Sequence, residues 1–176
     1  MGRETLVARR HDGTLPGGAV RLGVISDTHG LLRPEVFDVF EKVDHILHAG
    51  DVGKPEILIE LGALAPITAV YGNTDGPELR ARLSQVAELQ LDGFAIVVTH
   101  GDQFERATPA VLHEAFPRAE IIVYGHTHKP LLELVDRTVT VMNPGGAGHP
   151  RFGIPPSVGI MELEAGIPPR ARLVPL

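Results

Sequence analysis

"IIVYGHTHKP", Ile121 to Pro130, decides how this chain is read. Four residues suited to a buried strand run through a glycine into two histidines with one threonine between them. A strand end gives two imidazoles little to pack against, but it suits ring nitrogens that bind a metal ion. The layout recurs upstream. "AVRLGVISDTHG" carries an apolar run into Asp27 and His29, "HILHAGD" ends in Asp51, "ITAVYGNTD" reaches Asn73, and "AIVVTHGD" reaches His100. Seven polar residues, counting His126 and His128, therefore follow five separate apolar strands.

The segments between these strands set the fold class. Helical patterns cover "RPEVFDVFEKV", "KPEILIELGAL", "GPELRARLS" and "TPAVLHEAF". Pro34, Pro77 and Pro109 stand near helix starts, and Thr108 is placed to cap the last helix. The first half thus reads as strand-helix-strand units. From Ala87 the rhythm changes to a hairpin turning at Asp92-Gly93. Later come "EIIVYG", "LLELV", "TVTVMN", "SVGIMELE" and "ARLVPL", which read largely as a meander. Two stacked mixed sheets with helices outside would bury the apolar strands on both faces, an α/β (α+β) architecture. Residues 1–19 read as an N-terminal arm or extra edge element, and 20–176 as one domain.

Composition removes several function classes. The 176 residues include 43% apolar side chains, enough for a core, with no run near the ~18 to 20 apolar residues of a membrane span. The absence of cysteine excludes disulfides, thiolate metal sites and a cysteine nucleophile. With no apolar leader pattern, the expected location is cytoplasmic. A formal net charge of −6 argues against a general nucleic-acid groove, so a phosphate site must create local positive charge. Bound metal ions do that.

Loops at the carboxyl ends of parallel strands share one edge, where ligands bind. Two carboxylates, one amide oxygen and four imidazoles exceed the needs of one ion. Two ions sharing a carboxylate would take eight bonds from these seven residues. Nitrogen and oxygen donors without sulfur suit manganese, iron, zinc, nickel or cobalt and argue against calcium. Paired divalent ions are a common clamp for phosphate esters.

The order D-x-H, G-D, G-N-x-D, H-G, G-H-x-H, then "NPGG" (Asn143 to Gly146), resembles the calcineurin-like metallophosphoesterase superfamily, in particular its small YfcE-like phosphodiesterase branch. That resemblance implies a four-layer αββα sandwich of two mixed sheets flanked by helices. By position, Asp27, His29 and His128 would hold one ion; Asn73, His100 and His126 would hold the other; Asp51 would bridge them. Asp51, Asn73 and His100 carry over as catalytic residues too. The implied cofactor is a pair of divalent ions, manganese foremost. The implied reaction is phosphodiester hydrolysis by in-line attack of a metal-bound hydroxide, in a homo-oligomer such as a dimer or tetramer.

The chain departs from relatives at three positions. Thr74 stands where larger relatives often carry a histidine general acid. Asp102 stands where this branch often has a second histidine. Lys54 occupies the position of the tyrosine ligand of purple acid phosphatases, which argues against a tyrosinate-bound ferric ion. Thr74 and Arg151 are candidate substrate contacts. Asp75 is read either as an acceptor behind a metal ligand or as a helix cap, and His48 as a buried strand histidine. Two rivals remain: a protein-interaction scaffold like the retromer subunit that resembles this family, and a nuclease, for which no basic groove is evident.

Overall fold

Strand alternation divides the apolar side chains among three cores. In the computed structural model, which describes residues 18–176, β1 (Val20–Ile25), β2 (His45–Ala49) and β3 (Ile67–Val70) lie parallel. They are joined by α1 (Pro34–Phe40) and α2 (Pro55–Gly62), and α3 (Pro77–Arg82) follows β3. β4 (Val86–Leu91) and β5 (Phe94–Thr99) form the expected hairpin. Its turn residues Asp92 and Gly93 both have positive φ, which matches the strand twist. Then come α4 (Pro109–Ala115), β6 (Ile121–Val123), β7 (Leu131–Val135), β8 (Val139–Asn143), β9 (Ser157–Glu164) and β10 (Ile167–Pro175). The arm or edge element expected over 1–19 falls, apart from Gly18 and Ala19, outside the described residues.

The strands form two mixed sheets, ordered β10-β9-β1-β2-β3 and β4-β5-β6-β8-β7. Leu22, Val24, Leu47 and Ala49 meet Ile96, Val98, Ile121, Val123 and Met142 between the sheets. Their neighbours in sequence point outward. Ile46 packs with Val36, Phe40, Ile57 and Leu61 under the first helices, and Val97, Ile122 and Val141 pack with Leu112 under α4. The layers are therefore αββα. A Cβ at position 23 would lie 3.0 Å from the Phe40 ring, so Gly23 leaves the slot that this side chain fills. Burying such a ring contributes roughly 1.5–3 kcal/mol.

Prolines begin all four helices, at a position where a missing N–H costs nothing. Thr108 Oγ1 accepts the Val111 N–H at 3.4 Å, as its place in the sequence indicated. The second half is less of a meander than its strands suggest. β5, β6 and β8 are parallel, and β9 crosses to the first sheet to pair antiparallel with β1. This arrangement brings the carboxyl ends of β1, β2, β3, β5, β6 and β8 to one edge.

Candidate metal centre

The turns that leave these strands are unusual in their backbone. Asp27, His29, Asp51, His126 and His128 all have positive φ, between 47° and 66°. For a residue with a Cβ this left-handed region costs on the order of 1–3 kcal/mol. Five of the seven residues singled out by the sequence are therefore held against their own preference. Ladders between loops hold them. Asp27 N–H donates to the Gly50 carbonyl at 3.0 Å, His29 N–H to Asp51 at 2.9 Å, and Gly30 N–H to Val52 at 2.8 Å. At Gly125 a Cβ would collide with Ser26 Oγ and lie 2.8 Å from the Ala49 carbonyl, so only glycine lets this turn approach.

Three side chains fix the remaining loops. Asp75 accepts N–H bonds from Val52 (3.1 Å), Gly53 (2.7 Å) and Gly72 (2.9 Å). It is neither the cap of α3, whose N-cap is Gly76, nor an acceptor from a ligand side chain; it sets the backbone on both sides of the site. Arg80 donates to the carbonyls of Gly72, Asn73 and Asp75 while its guanidinium lies over the Tyr71 ring. Asn143 donates to the Gly125 carbonyl and to Thr127 Oγ1, and accepts from Gly145 N–H. Arg80 carries little signal in the sequence beyond its place one helical turn past "GNTD".

The seven residues converge. Asp27 Oδ2 accepts from Ser26 Oγ and His126 N–H, while Oδ1 is buried without a partner. That bare oxygen faces His128 Nε2 at 3.3 Å and His29 Nε2 at 3.9 Å, and the two ring nitrogens are 3.3 Å apart. Asp51 Oδ1 accepts from Thr74 N–H, leaving Oδ2 3.8 Å from His29 Nε2 and 3.3 Å from His100 Nε2. On the far side Asn73 Oδ1 lies 3.2 Å from His100 Nε2 and 3.1 Å from His126 Nδ1. Two donors about 2.1 Å from one tetrahedral ion sit about 3.4 Å apart, so these spacings suit shared ions. Donor atoms of Asp27, His29 and His128, and those of Asp27, Asp51 and His100, lie within 4.8 Å of one another. Asp27 belongs to both groups, yet Asp51 is the carboxylate whose one oxygen faces a histidine of each set.

The electrostatics point to a cation. Burial pushes the Asp27 carboxyl up to about 7, with His100 and the Ser26 hydroxyl acting against the rise. Burial also opposes charge on His100, but its hydrogen bond to Asp51 and the charges of Asp27 and Asp51 raise it to about 9. The His100 Nδ1–H donates to the Ala49 carbonyl at 2.8 Å, so a neutral ring would turn its Nε2 lone pair toward two oxygen acceptors. A proton or a metal ion must lie between them. His128 is lowered to about 4 by burial and by the nearby charges of His29 and Arg151, which favours the neutral ligand form. Asp51 is held well below the usual carboxylate range: burial opposes this, and the hydrogen bond and charge of His100 overcome it. The residues present fit divalent ions.

The other singled-out residues lie around this cluster. Thr74 Oγ1 is 3.5 Å from His29 Nδ1, so its hydroxyl faces a ring within the cluster. Arg151 is exposed, yet its charge reaches His29 and His128. His48 is fully buried and meets Thr28 Oγ1 at 3.0 Å; Thr28 donates onward to the Val52 carbonyl. It sits beneath the D-x-H turn rather than in it. Asp102 joins neither donor group. The Lys54 side chain runs against Gly30.

This fold, with donors gathered where parallel strands end, builds a site suited to metal-dependent chemistry. The family model described as the calcineurin-like phosphoesterase superfamily domain matches residues 20–166, and the chain belongs to that family. A probable metallophosphoesterase of Methanothermobacter thermautotrophicus is 38% identical over 154 residues, covering 81% of this chain and 86% of the relative. A phosphodiesterase of Methanocaldococcus jannaschii is 31% identical over 161 residues, covering 82% of this chain and 94% of the relative. Among solved structures, vacuolar protein sorting 29 of Cryptosporidium parvum superposes with a TM-score of 0.76 at 20% identity, covering 91% of this chain and 99% of the other. That likeness is one of fold.

Proposed function

We propose that the chain is a phosphodiesterase whose Asp27, His29, His128 and Asp51 hold one divalent ion and whose Asp51, Asn73, His100 and His126 hold a second. The observation that carries the reading is the convergence of four ring nitrogens on two carboxylates and an amide oxygen, with Asp27 Oδ1 buried and unpartnered. Such ions supply Lewis acidity to a phosphoryl oxygen and lower the pKa of a water nucleophile. Two divalent ions against Asp27 and Asp51 leave the centre near +2 in a chain of net charge −6, which draws in a phosphodiester. Asn73 and His100 fix the second ion's side, and the Ala49 carbonyl holds the His100 ring in one orientation. Manganese is the foremost candidate, followed by iron, nickel, zinc and cobalt, because imidazole-rich sites suit these ions. Length and composition support one domain over 20–176 in the cytoplasm, and the resemblance supports a dimer or tetramer. Among the described residues no helix is long and apolar enough to cross a membrane.

The primary experiment measures metal content and turnover of an aryl phosphodiester together. Chelation should abolish turnover, and manganese should restore it better than magnesium. Full activity after verified metal removal ends the reading. Tightly held metal without turnover on any ester would return the chain to the scaffold reading.

Stability supplies a test independent of activity. In metal-stripped protein the raised groups are Asp27, from 3.8 to about 7, and His100, from 6.5 to about 9. A raised group adds stability below its unfolded pKa and loses that contribution as pH climbs through the folded value. His48 and His128, both lowered to about 4, and His29 and His45, also lowered, act only below pH 6.5. From pH 6.5 to 9 the stripped chain should thus lose on the order of 3 kcal/mol, most of it through His100. Metal-loaded protein, with His100 already neutral, should not. Equal shifts in urea midpoint for both forms would mean that His100 holds no ion.

Thr74 gives a kinetic test. A threonine hydroxyl cannot supply a proton near pH 7, and here it faces His29. General acid help is worth about 10²- to 10⁴-fold. Activated aryl diesters should therefore outrun alkyl diesters steeply, and Thr74→His should help poor leaving groups most. A shallow dependence of rate on leaving-group pKa, with chemistry rate-limiting, would reveal another acid, and Asp102 would be the next residue to replace.

A further inference from the structure

Beside the donor cluster lies an open cleft of about 640 Å³, bordered by Phe104, Arg106, His126, Lys129 and Phe152, with Glu105 also on its wall. His126 belongs to both the cleft and the donor cluster, so the cleft opens directly beside the centre, within reach of an organic arm of an ester bound there. The walls differ from the centre. Phe104 is anchored edge-to-face on Phe116, with centroids 6.2 Å apart. Phe152 is 79% exposed, the highest value among the exposed large apolar residues described.

Phe152 also occupies a costly position. Ile154 N–H donates to the Arg151 carbonyl at 2.9 Å, closing a turn whose central residues are Phe152 (φ 55°) and Gly153 (φ 72°). Turns with positive φ at both centres are dominated by glycine, asparagine and aspartate. A bulky aromatic there is strained as well as wet. The turn follows a fixed base: Ala147 N–H donates to the Ser26 carbonyl, Gly148 N–H to Asp27, and Arg33 Nε to the Gly148 carbonyl. The ring is thus presented from a braced strap that starts at the metal-side loop. Arg106 and Lys129 outweigh Glu105 by one positive charge along the cleft, in a chain that is acidic overall.

We propose that this cleft is the subsite for one arm of the phosphodiester and that the arm is a nucleotide: its base lies flat on Phe152, and its own phosphate is held by Arg106 and Lys129. A flat π-face is what an exposed phenyl ring carried on a hydrogen-bonded turn binds, and a second anion is what the two cations bind. The proposal rests on the phosphodiesterase reading for the placement of the scissile phosphate, not for the binding of the arm.

The test separates the two. The chain has no tryptophan, so Phe152→Trp places a single indole at the turn. Titration of that variant with thymidine 3′,5′-bisphosphate, in full-length protein with and without chelator, should quench its emission saturably. Adding Arg106→Ala and Lys129→Ala should weaken the apparent Kd about 10-fold or more. Absence of saturable quenching, or a Kd indifferent to both cations, overturns the subsite, as does emission that follows protein concentration but not nucleotide, which would assign Phe152 to a second copy of the chain.

The kinetic arm uses 4-nitrophenyl esters of methyl phosphate, of thymidine 5′-phosphate and of thymidine 3′,5′-bisphosphate, which share one leaving group. The thymidine ester should exceed the methyl ester in kcat/KM by about 10-fold, since base stacking on an aromatic ring is worth that much. Phe152→Ala should bring this ratio near one, and the cation variants should remove only the added gain of the 3′-phosphate. Hydrolysis of all three at equal efficiency overturns the nucleotide arm and leaves the phosphodiesterase standing. Saturable quenching without hydrolysis of any ester leaves the subsite standing and removes the phosphodiesterase.

Discussion

Asp51→Asn is expected to lower turnover by about 10³-fold or more and, on the proposed two-ion reading, to reduce tightly bound metal toward one ion or none. Lewis-acid stabilisation of a transferring phosphoryl group is worth several kcal/mol, and each 1.36 kcal/mol is a factor of ten. Asp51 Oδ2 is the oxygen that lies 3.8 Å from His29 and 3.3 Å from His100, so its charge faces both donor sets. Asparagine keeps the size but removes that charge, and two divalent ions then repel each other without the anion between them. The substitution has a second effect on the protein itself. His100 is raised to about 9 in part by Asp51, so without it the ring should be more often neutral in the stripped chain. The comparison is His29→Ala, whose ring faces one set chiefly and should cost one ion before the other. Metal analysis by mass spectrometry of the native protein, alongside turnover, separates the two variants. Two tightly held ions and near-normal turnover in Asp51→Asn would place the bridge elsewhere, and Asp27, which belongs to both donor groups, would be the first alternative.

The site was far more legible in the sequence than the frame that holds it. Apolar strands ending in Asp, Asn and His can be seen from spacing alone, because alternation and strand length are local properties. The layers also followed, since residues such as Ile46 and Leu47 must face opposite sides of one sheet. The return of β9 to β1 was not legible: an apolar strand says nothing about which sheet it joins. Nor were the five left-handed backbones at Asp27, His29, Asp51, His126 and His128. These residues adopt that region because contacts from other strands hold them there, and such contacts have no sequence period. Asp75 is the same case. Its place before a helical proline offered a capping role, whereas two of its three partners, Val52 and Gly53, come from another loop 23 and 22 residues away.

That frame leads to the second large effect. Asp75→Ala should cost about 3–5 kcal/mol of stability and weaken metal binding about 10- to 100-fold. Asp75 is 4% exposed, and its two oxygens accept the N–H groups of Val52, Gly53 and Gly72. Alanine leaves three donors with no acceptor; Gly53 is exposed to water, but Val52 and Gly72 are buried, and each buried, unsatisfied donor costs roughly 1–3 kcal/mol. The loss is a large part of the 5–15 kcal/mol typical of a domain. The bonds from Val52 and Gly53 hold loop 51–53 against loop 72–75, the Gly72 bond closes the second loop on itself, and together they hold Asp51 opposite Asn73. Breaking them should therefore release strain stored in the left-handed turn at Asp51 and let its carboxylate drift from the histidines. Asp75→Asn is the graded control: one oxygen remains, and the new amide N–H₂ faces a backbone N–H, so stability and metal affinity should fall by less than in the alanine variant. Added metal should recover part of the stability of both variants, because ions bind only the folded chain. Urea midpoints with and without metal, together with the metal Kd, make the measurement. A large stability loss with an unchanged metal Kd would confine Asp75 to folding, and a loss below about 0.5 kcal/mol would mean that water replaces its carboxylate at all three N–H groups.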